Sequence, residues 1–391
     1  MIKVFLKKKI STRIAEGHLW VYQNEIGDVV GSSDIYGGVI VDVFSSNGSF
    51  VGRGYYNPLS QIAIRLLSTQ QEPIDEAFFL KKIKVALAYR QQLGFTENYR
   101  LVNSEADHIP GLVIDRFNDY LVVQCHTLGI DLLKPAIVNA LNSLFRPKGI
   151  YERSDIPQRS LEGLPMTKGF LSTPFDTRIT LTEGGLKFYV DLENGLKTGY
   201  FLDNQHNKTL IKHIVKNADV LDMFCYTGSF SLFAAAYGAK RVLGVDYAEA
   251  AVSLAKANAQ RNGYAEICNF EVKNAFDFLK VQAKGKKQFD VVILDPPVLL
   301  QAKANIEKAL GAYKEINLRA MQLLKPGGFL VTTCATHLVT EEAFSTVLKD
   351  AAADVKRDLR PVSLQTQSAD HAITWNMPNT QYLKFWIIQV N

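Results

Sequence analysis

One stretch in the second half of the chain constrains the fold more than any other. Residues 219–246 begin with an apolar run, turn at Gly228, continue as a small-residue helix and end in a second apolar run that Asp246 closes. Strand, glycine turn, helix, strand and acid within about 30 residues form the first unit of a nucleotide-binding α/β sheet. The carboxylate at the tip of the second strand suits a ribose diol, because it can accept from both hydroxyls.

The composition of the turn limits which class of ligand it can bind. A dinucleotide-binding turn carries G-x-G-x-x-G so that the backbone can approach a pyrophosphate. Residues 225–229 contain a single glycine, Gly228, and no basic residue. With Asp222 upstream, the turn favours an adenosyl ligand that carries an amino acid, and S-adenosylmethionine is the natural candidate. The alternative is an ordinary βαβ unit with a tight turn.

Length and composition set the class of protein. The chain has 391 residues, 47% of them apolar, which allows two or three domains. No apolar stretch approaches the roughly 18–20 residues that cross a bilayer, and the first ten residues are too weakly apolar for a signal peptide. The four cysteines are widely spaced, without a pair typical of zinc sites. We therefore expect a cytoplasmic protein with free thiols, no metal and no membrane association.

The pattern of elements divides the chain into three predicted domains. Residues 1–70 read as short strands of a small β barrel or sandwich, and residues 71–170 as a helix followed by strands of an α+β unit. From 171 to 391, strands alternate with helices, which predicts a parallel, doubly wound sheet. Ligands of such sheets bind at the carboxyl ends of the strands.

The first domain places basic residues beside aromatic ones. Lys8 lies in a run of three lysines, and Trp20 and Tyr22 follow shortly after. Rings stack on unpaired bases while cations hold phosphates, so this pattern suits RNA. The net charge of +5 permits a polyanionic partner without requiring one. The residues alone favour the simpler alternative, in which the rings are core and the lysines are solvated.

Four polar residues fall at predicted strand ends, namely Asp246, Asn274, Asp295 and Cys334. A purely structural sheet gives no reason for this coincidence. After Asp295, Pro296 and Pro297 stiffen the turn and hold the carboxylate in one geometry. The alternative is a pair of helix-start prolines with Asp295 as the cap.

Cys334 suits nucleophilic catalysis on a base. A thiolate can add to an electrophilic carbon, and addition at C6 of cytosine makes C5 able to attack a methyl group. Cys225, in the glycine turn, is a rival nucleophile that better fits packing against the cofactor. The remaining cysteines, Cys125 and Cys268, are expected in the core. Three histidines without metal-ligand spacing are expected as polar pocket or surface residues: His206, His337 and His371.

Several motifs together resemble a known family along essentially the whole chain. They are Gly17-His18-Leu19-Trp20-Val21-Tyr22, Tyr151-Glu152-Arg153-Ser154-Asp155, Lys197-Thr198-Gly199-Tyr200-Phe201-Leu202-Asp203, Phe224-Cys225-Tyr226-Thr227-Gly228, Asp295-Pro296-Pro297 and Cys334. On these residues the chain resembles the RlmI-like family of S-adenosylmethionine-dependent methyltransferases, which act on cytosine C5 of large-subunit rRNA.

The resemblance implies a fold and a set of site residues. It implies an N-terminal PUA domain, a central EEHEE-type α+β domain and a C-terminal class I methyltransferase domain with a Rossmann-like sheet. Cys334 and Asp295 are the implied catalytic residues, and Pro296, Pro297, Trp20 and Lys8 the implied substrate-binding residues. The implied cofactor-binding residues are Lys197, Tyr200, Phe201, Asp203, Asn204, Asp222, Phe224, Tyr226, Gly228, Asp246, Asn274, Ala275 and Asp295. RNA is the implied partner, and the resemblance leaves room for a homodimer.

The chain departs from the family pattern at several positions. Asn204 and Gln205 replace residues that are usually Gln and often Arg, Asn274 stands where an acid is frequent, and Val298-Leu299-Leu300 replaces a Lys/aromatic stretch. Thr333-Cys334-Ala335 replaces Ser-Cys-Ser. Two other functions therefore stay open: an rRNA base N-methyltransferase without a covalent step, for example on guanine, and a non-catalytic RNA-binding assembly factor.

Overall fold

The chain folds into two compact units. The computed structural model describes residues 1–7, 12–31, 37–285, 288–299 and 305–391. The first unit comprises residues 1–179, 190–203 and 369–380, and the second comprises residues 180–189, 204–368 and 381–391. Within the described ranges, no helix is both long and apolar enough to span a membrane. The domain boundaries near 70 and 170 stay a prediction.

The first unit opens with a six-stranded sheet. Its elements are β1 (Ile2–Leu6), α1 (Thr12–Ala15), β2 (Trp20–Val21), β3 (Ile26–Val30), β4 (Val39–Phe44), β5 (Phe50–Tyr56) and β6 (Ile64–Ser68). The strand order is β2-β6-β5-β4-β1-β3, and β1 runs parallel to β4. Val4, Val41 and Val43 are fully buried, so one face of this sheet forms a small apolar core.

A second sheet in this unit packs against helices. The elements are α2 (Glu76–Gln92), β7 (Asn98–Asn103), β8 (Leu112–Phe117), β9 (Tyr120–Cys125), α3 (Leu128–Leu132), α4 (Lys134–Phe145), β10 (Gly149–Ser154) and β11 (Thr167–Phe170), with strand order β11-β10-β9-β8-β7. Asp75 caps α2 by accepting from Phe78 N at 3.0 Å. Phe79 of α2 and Leu141 of α4 are fully buried among the strand residues. The predicted α+β character is confirmed.

The predicted hairpin follows. It consists of β12 (Arg178–Glu183) and β13 (Leu186–Asp191). Gly184 and Gly185 connect the strands with φ angles of +56° and +81°, a left-handed conformation that glycine adopts without strain.

The second unit contains a seven-stranded sheet between helices. Its strands are β14 (Asp219–Met223), β15 (Arg241–Asp246), β16 (Cys268–Val272), β17 (Phe289–Leu294), β18 (Leu324–Ala335), β19 (Leu359–Gln365) and β20 (Leu383–Val390). Its helices are α5 (Gln205–Leu210), α6 (Ser229–Ala236), α7 (Glu249–Arg261), α8 (Ala275–Gln282), α9 (Ile306–Leu323) and α10 (Glu341–Asp354). The order β16-β15-β14-β17-β18-β20-β19 reverses direction beside β14, the topological switch point of such sheets.

The sheet is mixed, and the expectation of a parallel sheet was wrong for one strand, β20. β20 lies between β18 and β19 and runs antiparallel to both. The edge strand β19 therefore runs in the same direction as β18, and mixed sheets of this kind are common in α/β proteins. Periodicity identifies strands but carries no information on their direction, so the sequence could not reveal the reversal.

The two faces of β20 meet different helices. Phe385 stacks on Phe230 of α6 at 5.9 Å between ring centroids, whereas Trp386 contacts Phe344 of α10 at 5.0 Å. Side chains alternate between the two faces of a strand. Phe385 therefore marks the face of β20 toward α6, and Trp386 marks the face toward α9 and α10.

Candidate functional site

The glycine turn between β14 and α6 has a constrained backbone. Phe224, Tyr226 and Gly228 all have positive φ angles, of +62°, +48° and +80°. A Cβ atom on Gly228 would lie 3.0 Å from the Phe270 ring and 3.1 Å from Ala255. Glycine therefore suits this position by its conformation, and the close neighbours leave little space for a Cβ atom.

The turn and the tip of β15 are joined through Asp246. Its Oδ2 accepts from Tyr226 N at 2.9 Å and its Oδ1 accepts from Ala248 N at 2.9 Å. Each carboxylate oxygen has a second lone pair to offer. Asp246 is thus held in a fixed orientation and retains acceptor capacity toward a diol.

Asp222 is a carboxyl group buried at the end of β14. Burial raises its pKa to about 7, and the neighbouring Asp295 and Asp246 carboxylates act in the same direction. Ser231 Oγ donates to its Oδ2 at 2.6 Å, while Oδ1 has no hydrogen-bond partner among the described residues. A buried orphan carboxylate oxygen suits a cationic ligand group. The amino acid moiety of S-adenosylmethionine carries such a group.

Cys225 is placed as a packing residue. It is buried, and a Cβ atom on Gly244 of β15 would lie 3.1 Å from its Sγ. Burial raises its pKa well above the ordinary value, and Asp222 and Asp246 raise it further. A thiolate is disfavoured there, and the assignment of Cys225 to packing against the cofactor stays a prediction.

Asn274 and Ala275 mark the start of α8. Asn274 is the N-cap, and its Oδ1 accepts from Phe276 N at 3.0 Å and Asp277 N at 3.3 Å. Ala275 is buried, and the partly exposed ring of Phe276 contacts the Phe224 ring edge-on at 6.3 Å. Asn274 therefore has a structural role as a cap, whatever it contributes to a ligand.

Two aromatic residues that the sequence analysis missed stand beside these positions. Tyr247, directly after Asp246, is 74% exposed, and Phe276 follows Asn274 and Ala275. Exposed rings next to polar strand ends are suited to a flat heterocycle. Their positions immediately after the strand-end polar residues were a signal that could have identified them.

Asp295, at the tip of β17, is held by two side chains. Thr333 Oγ1 donates to its Oδ1 at 2.5 Å, and Asn204 Nδ2 donates to its Oδ2 at 3.3 Å. Asn207 Nδ2 in turn donates to Asn204 Oδ1 at 2.9 Å. The chain of hydrogen bonds from Asn207 through Asn204 to Asp295 fixes the carboxylate. Neither Thr333 nor Asn207 was among the predicted site residues.

The turn after Asp295 continues with Pro296, which is buried, and Pro297, which is exposed. Val298 is also exposed. Leu300 lies outside the described residues.

Cys334 is the next-to-last residue of β18. Its side chain lies on the face of the sheet toward α9 and α10. It is fully buried in the core that contains Tyr313, Phe344 and Trp386. Burial raises the pKa of its thiol, while the Tyr313 hydroxyl and Lys384 lower it. Thr333, the preceding residue, points to the other face and reaches Asp295. The two predicted catalytic side chains thus leave neighbouring strand ends on different sides of the sheet.

The stretch 197–203 belongs to the first unit. The Lys197 ammonium pairs with the buried Asp203 carboxylate and lies 4.4 Å from the Phe201 ring centroid. Thr198 Oγ1 donates to Asp115 Oδ2 at 2.6 Å, and Tyr200 is buried. Lys197 has a φ of +55°, so the ion pair is formed within a tightly turned loop. The assignment of Lys197, Tyr200, Phe201 and Asp203 to the cofactor stays a prediction.

Trp20, on β2, is partly buried and hydrogen-bonded. Its Nε1 donates to Glu105 Oε1 at 3.0 Å, and its ring contacts the Tyr22 ring edge-on at 6.5 Å. Arg13 makes two 2.8 Å bonds to Glu25 and lies over the Tyr22 ring. The cationic charge of Arg13 is thus largely matched within the protein. Lys8 lies outside the described residues, and a substrate role of Trp20 and Lys8 stays a prediction.

The remaining cysteines and histidines differ in burial. Cys125 and Cys268 are buried, as predicted. His206 is exposed, and His371 is buried with Nδ1 3.0 Å from Asp370 Oδ1. Cys125, Asp131 and Glu152 come close enough together for a metal, but Lys134 Nζ already lies 3.0 Å from Asp131 and 2.8 Å from Glu152. An ion pair therefore accounts for this cluster.

Comparisons with known proteins bear on the two folds. A family described as a PUA-like domain matches residues 4–69, and one described as a methyltransferase domain matches residues 214–382. Among solved structures, a methyltransferase complexed with SAH and a SAM-dependent methyltransferase from Streptococcus mutans each match with a TM-score of 0.84 at 20% identity over 100% of both chains. The predicted PUA-like and class I methyltransferase folds are confirmed.

Curated relatives extend over the whole chain. Proteins named ribosomal RNA large subunit methyltransferase I are 36% identical in Alteromonas mediterranea (99% of this chain, 98% of the relative) and 37% identical in Vibrio cholerae (99% of each). A third, from Shewanella denitrificans, is 37% identical over 100% of this chain and 99% of its own length. The chain belongs to the ribosomal RNA large subunit methyltransferase I family.

Proposed function

We propose that the protein transfers a methyl group from S-adenosylmethionine to C5 of a cytosine in large-subunit rRNA. It is a member of a family of rRNA methyltransferases, and S-adenosylmethionine is the methyl donor. Cys334 is the nucleophile and Asp295 orients the base. One observation carries the proposal: Asp295 directly follows β17 and Cys334 is the next-to-last residue of the adjacent parallel strand β18, so both lie at the same edge of the sheet.

The cofactor would be held by the residues around the glycine turn. Asp246 would accept from the ribose hydroxyls, since its orientation is fixed by Tyr226 N and Ala248 N. Asp222, with its orphan oxygen, would receive the ammonium of the amino acid moiety. When bound, the cofactor supplies an electrophilic methyl group on a sulfonium.

The acceptor needs activation, because C5 of cytosine is a weak nucleophile. Once its proton has left, the Cys334 thiolate forms a bond to C6, and the C5=C6 electron pair shifts so that C5 can attack the methyl carbon. The bond from the methyl carbon to the sulfonium breaks, leaving S-adenosylhomocysteine. Loss of the C5 proton to a base then restores the double bond and expels the thiolate. A fixed Asp295 would hold the polar edge of the base during these steps.

A second function is favoured by one observation. Cys334 is fully buried and burial raises the pKa of its thiol, whereas an N-methyltransferase needs no thiolate. In that case, Asp295 and Asn204 would grip the base and a ring or exocyclic nitrogen would attack the methyl group directly. The two functions differ in whether Cys334 is required.

Bisulfite sequencing of rRNA tests the proposal. Large-subunit rRNA from cells with the gene, without it, and complemented by Cys334→Ser would be compared. We expect one 5-methylcytosine to disappear in the deletion and to stay absent with the variant. An unchanged bisulfite pattern in the deletion would refute the proposal, and a restored mark with the variant would refute the covalent step.

A further inference from the structure

The last strand of the sheet places a lysine beside the proposed nucleophile. We propose that Lys384 is a positioning residue whose buried ammonium stabilises the thiolate of Cys334. The proposal rests on the proposed function for its catalytic meaning, but the coupling between the two side chains can be measured without any reaction.

The strand register brings the two residues together. Cys334 of β18 and Lys384 of β20 are direct partners in the antiparallel ladder, and side chains of directly opposed residues share one face of a sheet. Trp386, two residues beyond Lys384, packs against Phe344 of α10 on the face where Cys334 is buried. Lys384 thus projects toward the thiol and not toward α6.

The ammonium is buried and hydrogen-bonded only to neutral groups in the described chain. Lys384 is 5% exposed. Its Nζ donates to Thr336 O at 2.6 Å and to Tyr382 O at 3.4 Å. Two carbonyl acceptors orient an ammonium without cancelling its charge. A buried cation without a hydrogen-bonded anion is costly, so a neighbouring group that can become an anion is its natural partner.

Other charges near the thiol come from every element that packs on it. Tyr313 of α9 faces Cys334, the loop residue His337 lies near Lys384, and Glu341 of α10 attracts the Lys384 ammonium. The Tyr313 hydroxyl can donate to a thiolate but carries no charge, and burial lowers the pKa of His337 and keeps it neutral. Among these groups only Lys384 brings a full positive charge to the sulfur.

Two opposing effects act on the pKa of each side chain. Lys384 lowers the pKa of Cys334, and Cys334 raises the pKa of Lys384. In each case, burial acts in the opposite direction and is the larger effect. Burial alone would make Cys334 an inert thiol, and Lys384 offsets part of that penalty.

The competing explanation is that Lys384 only ties the end of β18 to β20 through Thr336 O. Lys384→Met removes the charge and the hydrogen bonds, Lys384→Gln keeps a donor without charge, and Lys384→Arg keeps charge and donors. Lys349→Met, on the exposed side of α10, is the matched control. A structural role predicts that Lys384→Gln behaves as the native protein, whereas the charge role predicts that it behaves as Lys384→Met.

The experiment is a pH titration of the full chain carrying ¹³Cβ-cysteine, followed by NMR. Four signals are expected, one for each cysteine, and Cys334→Ser identifies the relevant one. At the native midpoint, we expect the thiolate fraction of Cys334 to fall from one half to about one tenth in Lys384→Met and Lys384→Gln, a shift of about one pH unit. Lys384→Arg and Lys349→Met should keep the native midpoint.

The result separates this proposal from the proposed function. A native Cys334 midpoint in a folded Lys384→Gln or Lys384→Met protein would overturn the role of Lys384. Full methylation by Cys334→Ser would overturn the covalent step, while the titration would still report the coupling. If both proposals hold, the uncharged variants lose about tenfold in kcat at neutral pH with unchanged KM, and regain it as the pH rises.

Discussion

Thr333 Oγ1 donates a 2.5 Å hydrogen bond to Asp295 Oδ1, and this bond ties the tip of β18 to the tip of β17. The next residue along β18 is Cys334, which faces the opposite side of the sheet. A single dipeptide thus fixes the carboxylate on one face and carries the proposed nucleophile on the other. The placement makes Thr333 a testable part of the site.

Thr333→Val should impair catalysis without affecting the cofactor. The valine keeps the shape of the side chain but leaves Asp295 with one fewer donor, and a hydrogen bond to a charged group contributes about 1.5–3 kcal/mol. We expect kcat to fall by about tenfold or more, measured by transfer of a radiolabelled methyl group to rRNA.

Thr332→Val is the matched control for this variant. The Thr332 hydroxyl is buried and has no hydrogen-bond partner among the described residues, so its replacement should leave kcat unchanged. Equal losses in the two variants would show that Asp295 does not depend on Thr333.

Asp246→Asn should weaken cofactor binding. The amide can keep one acceptor, but the other position becomes a donor that opposes Tyr226 N or Ala248 N. We expect the Kd for S-adenosylmethionine, measured by calorimetry, to rise about 10- to 100-fold, equivalent to about 1.4–2.8 kcal/mol. Glu249→Gln removes the charge of an exposed residue three positions away and should leave Kd unchanged. An equal rise in Kd for that variant would point to net charge as the cause.

Asp222 should give stability a defined pH dependence. Its pKa is raised to about 7 in the folded protein, so the folded state binds a proton more tightly than the unfolded state. The resulting stabilisation is complete below about pH 4 and is lost as the pH rises through about 7. The thermal unfolding midpoint of Asp222→Asn, relative to the native protein, should therefore increase between pH 5 and pH 8.

Asp219 provides the opposite case on the same strand. The Arg241 guanidinium lowers the pKa of Asp219, so the stabilisation by this group is present at neutral pH and is lost only as the pH falls through the folded value. Asp219→Asn should show no change in relative stability between pH 5 and pH 8. The same pH dependence in both variants would exclude Asp222 as its source.

The two cysteines near the site should differ sharply in importance. Cys334→Ser should lower the rate of methyl transfer by about 10³-fold or more, since a serine hydroxyl is a far poorer nucleophile than a thiolate at neutral pH. Cys225→Ser should stay within about threefold of the native rate, because burial and two carboxylates disfavour its thiolate. The reverse ranking would assign the nucleophile to the glycine turn.

Gly228→Ala should destabilise the protein through both strain and contact. A left-handed conformation costs a residue with a Cβ about 1–2 kcal/mol, and the contacts with Phe270 and Ala255 add to this. Gly263→Ala, with a φ of +75° but no atom within 4 Å of the added Cβ, isolates the strain. We expect a larger loss in the free energy of unfolding at Gly228, measured by denaturant titration; equal losses would show that the close contacts relax.

Several elements of the second unit could be predicted because their signals are local. The apolar runs that became β14 and β15, the turn at Gly228 and the acid at Asp246 all lie within one short segment, where periodicity and a left-handed glycine determine the structure. The helix expected at about 303–324 is observed over the described residues Ile306–Leu323. The strand expected at Phe329–Thr333 extends over Leu324–Ala335, because pairing with β17 and β20 prolongs it beyond its apolar centre.

The sequence by itself determined the strand–turn–helix unit, the order of elements and the candidates Asp246, Asp295 and Cys334. Only the tertiary structure decided the antiparallel insertion of β20, which places Lys384 opposite Cys334 across about 50 residues of chain. It also decided that Thr333 and Asn204 hold Asp295. The physical reason is that a strand's direction and its register depend on partners that are distant in the chain, whereas turns and amphipathic periods depend on neighbours.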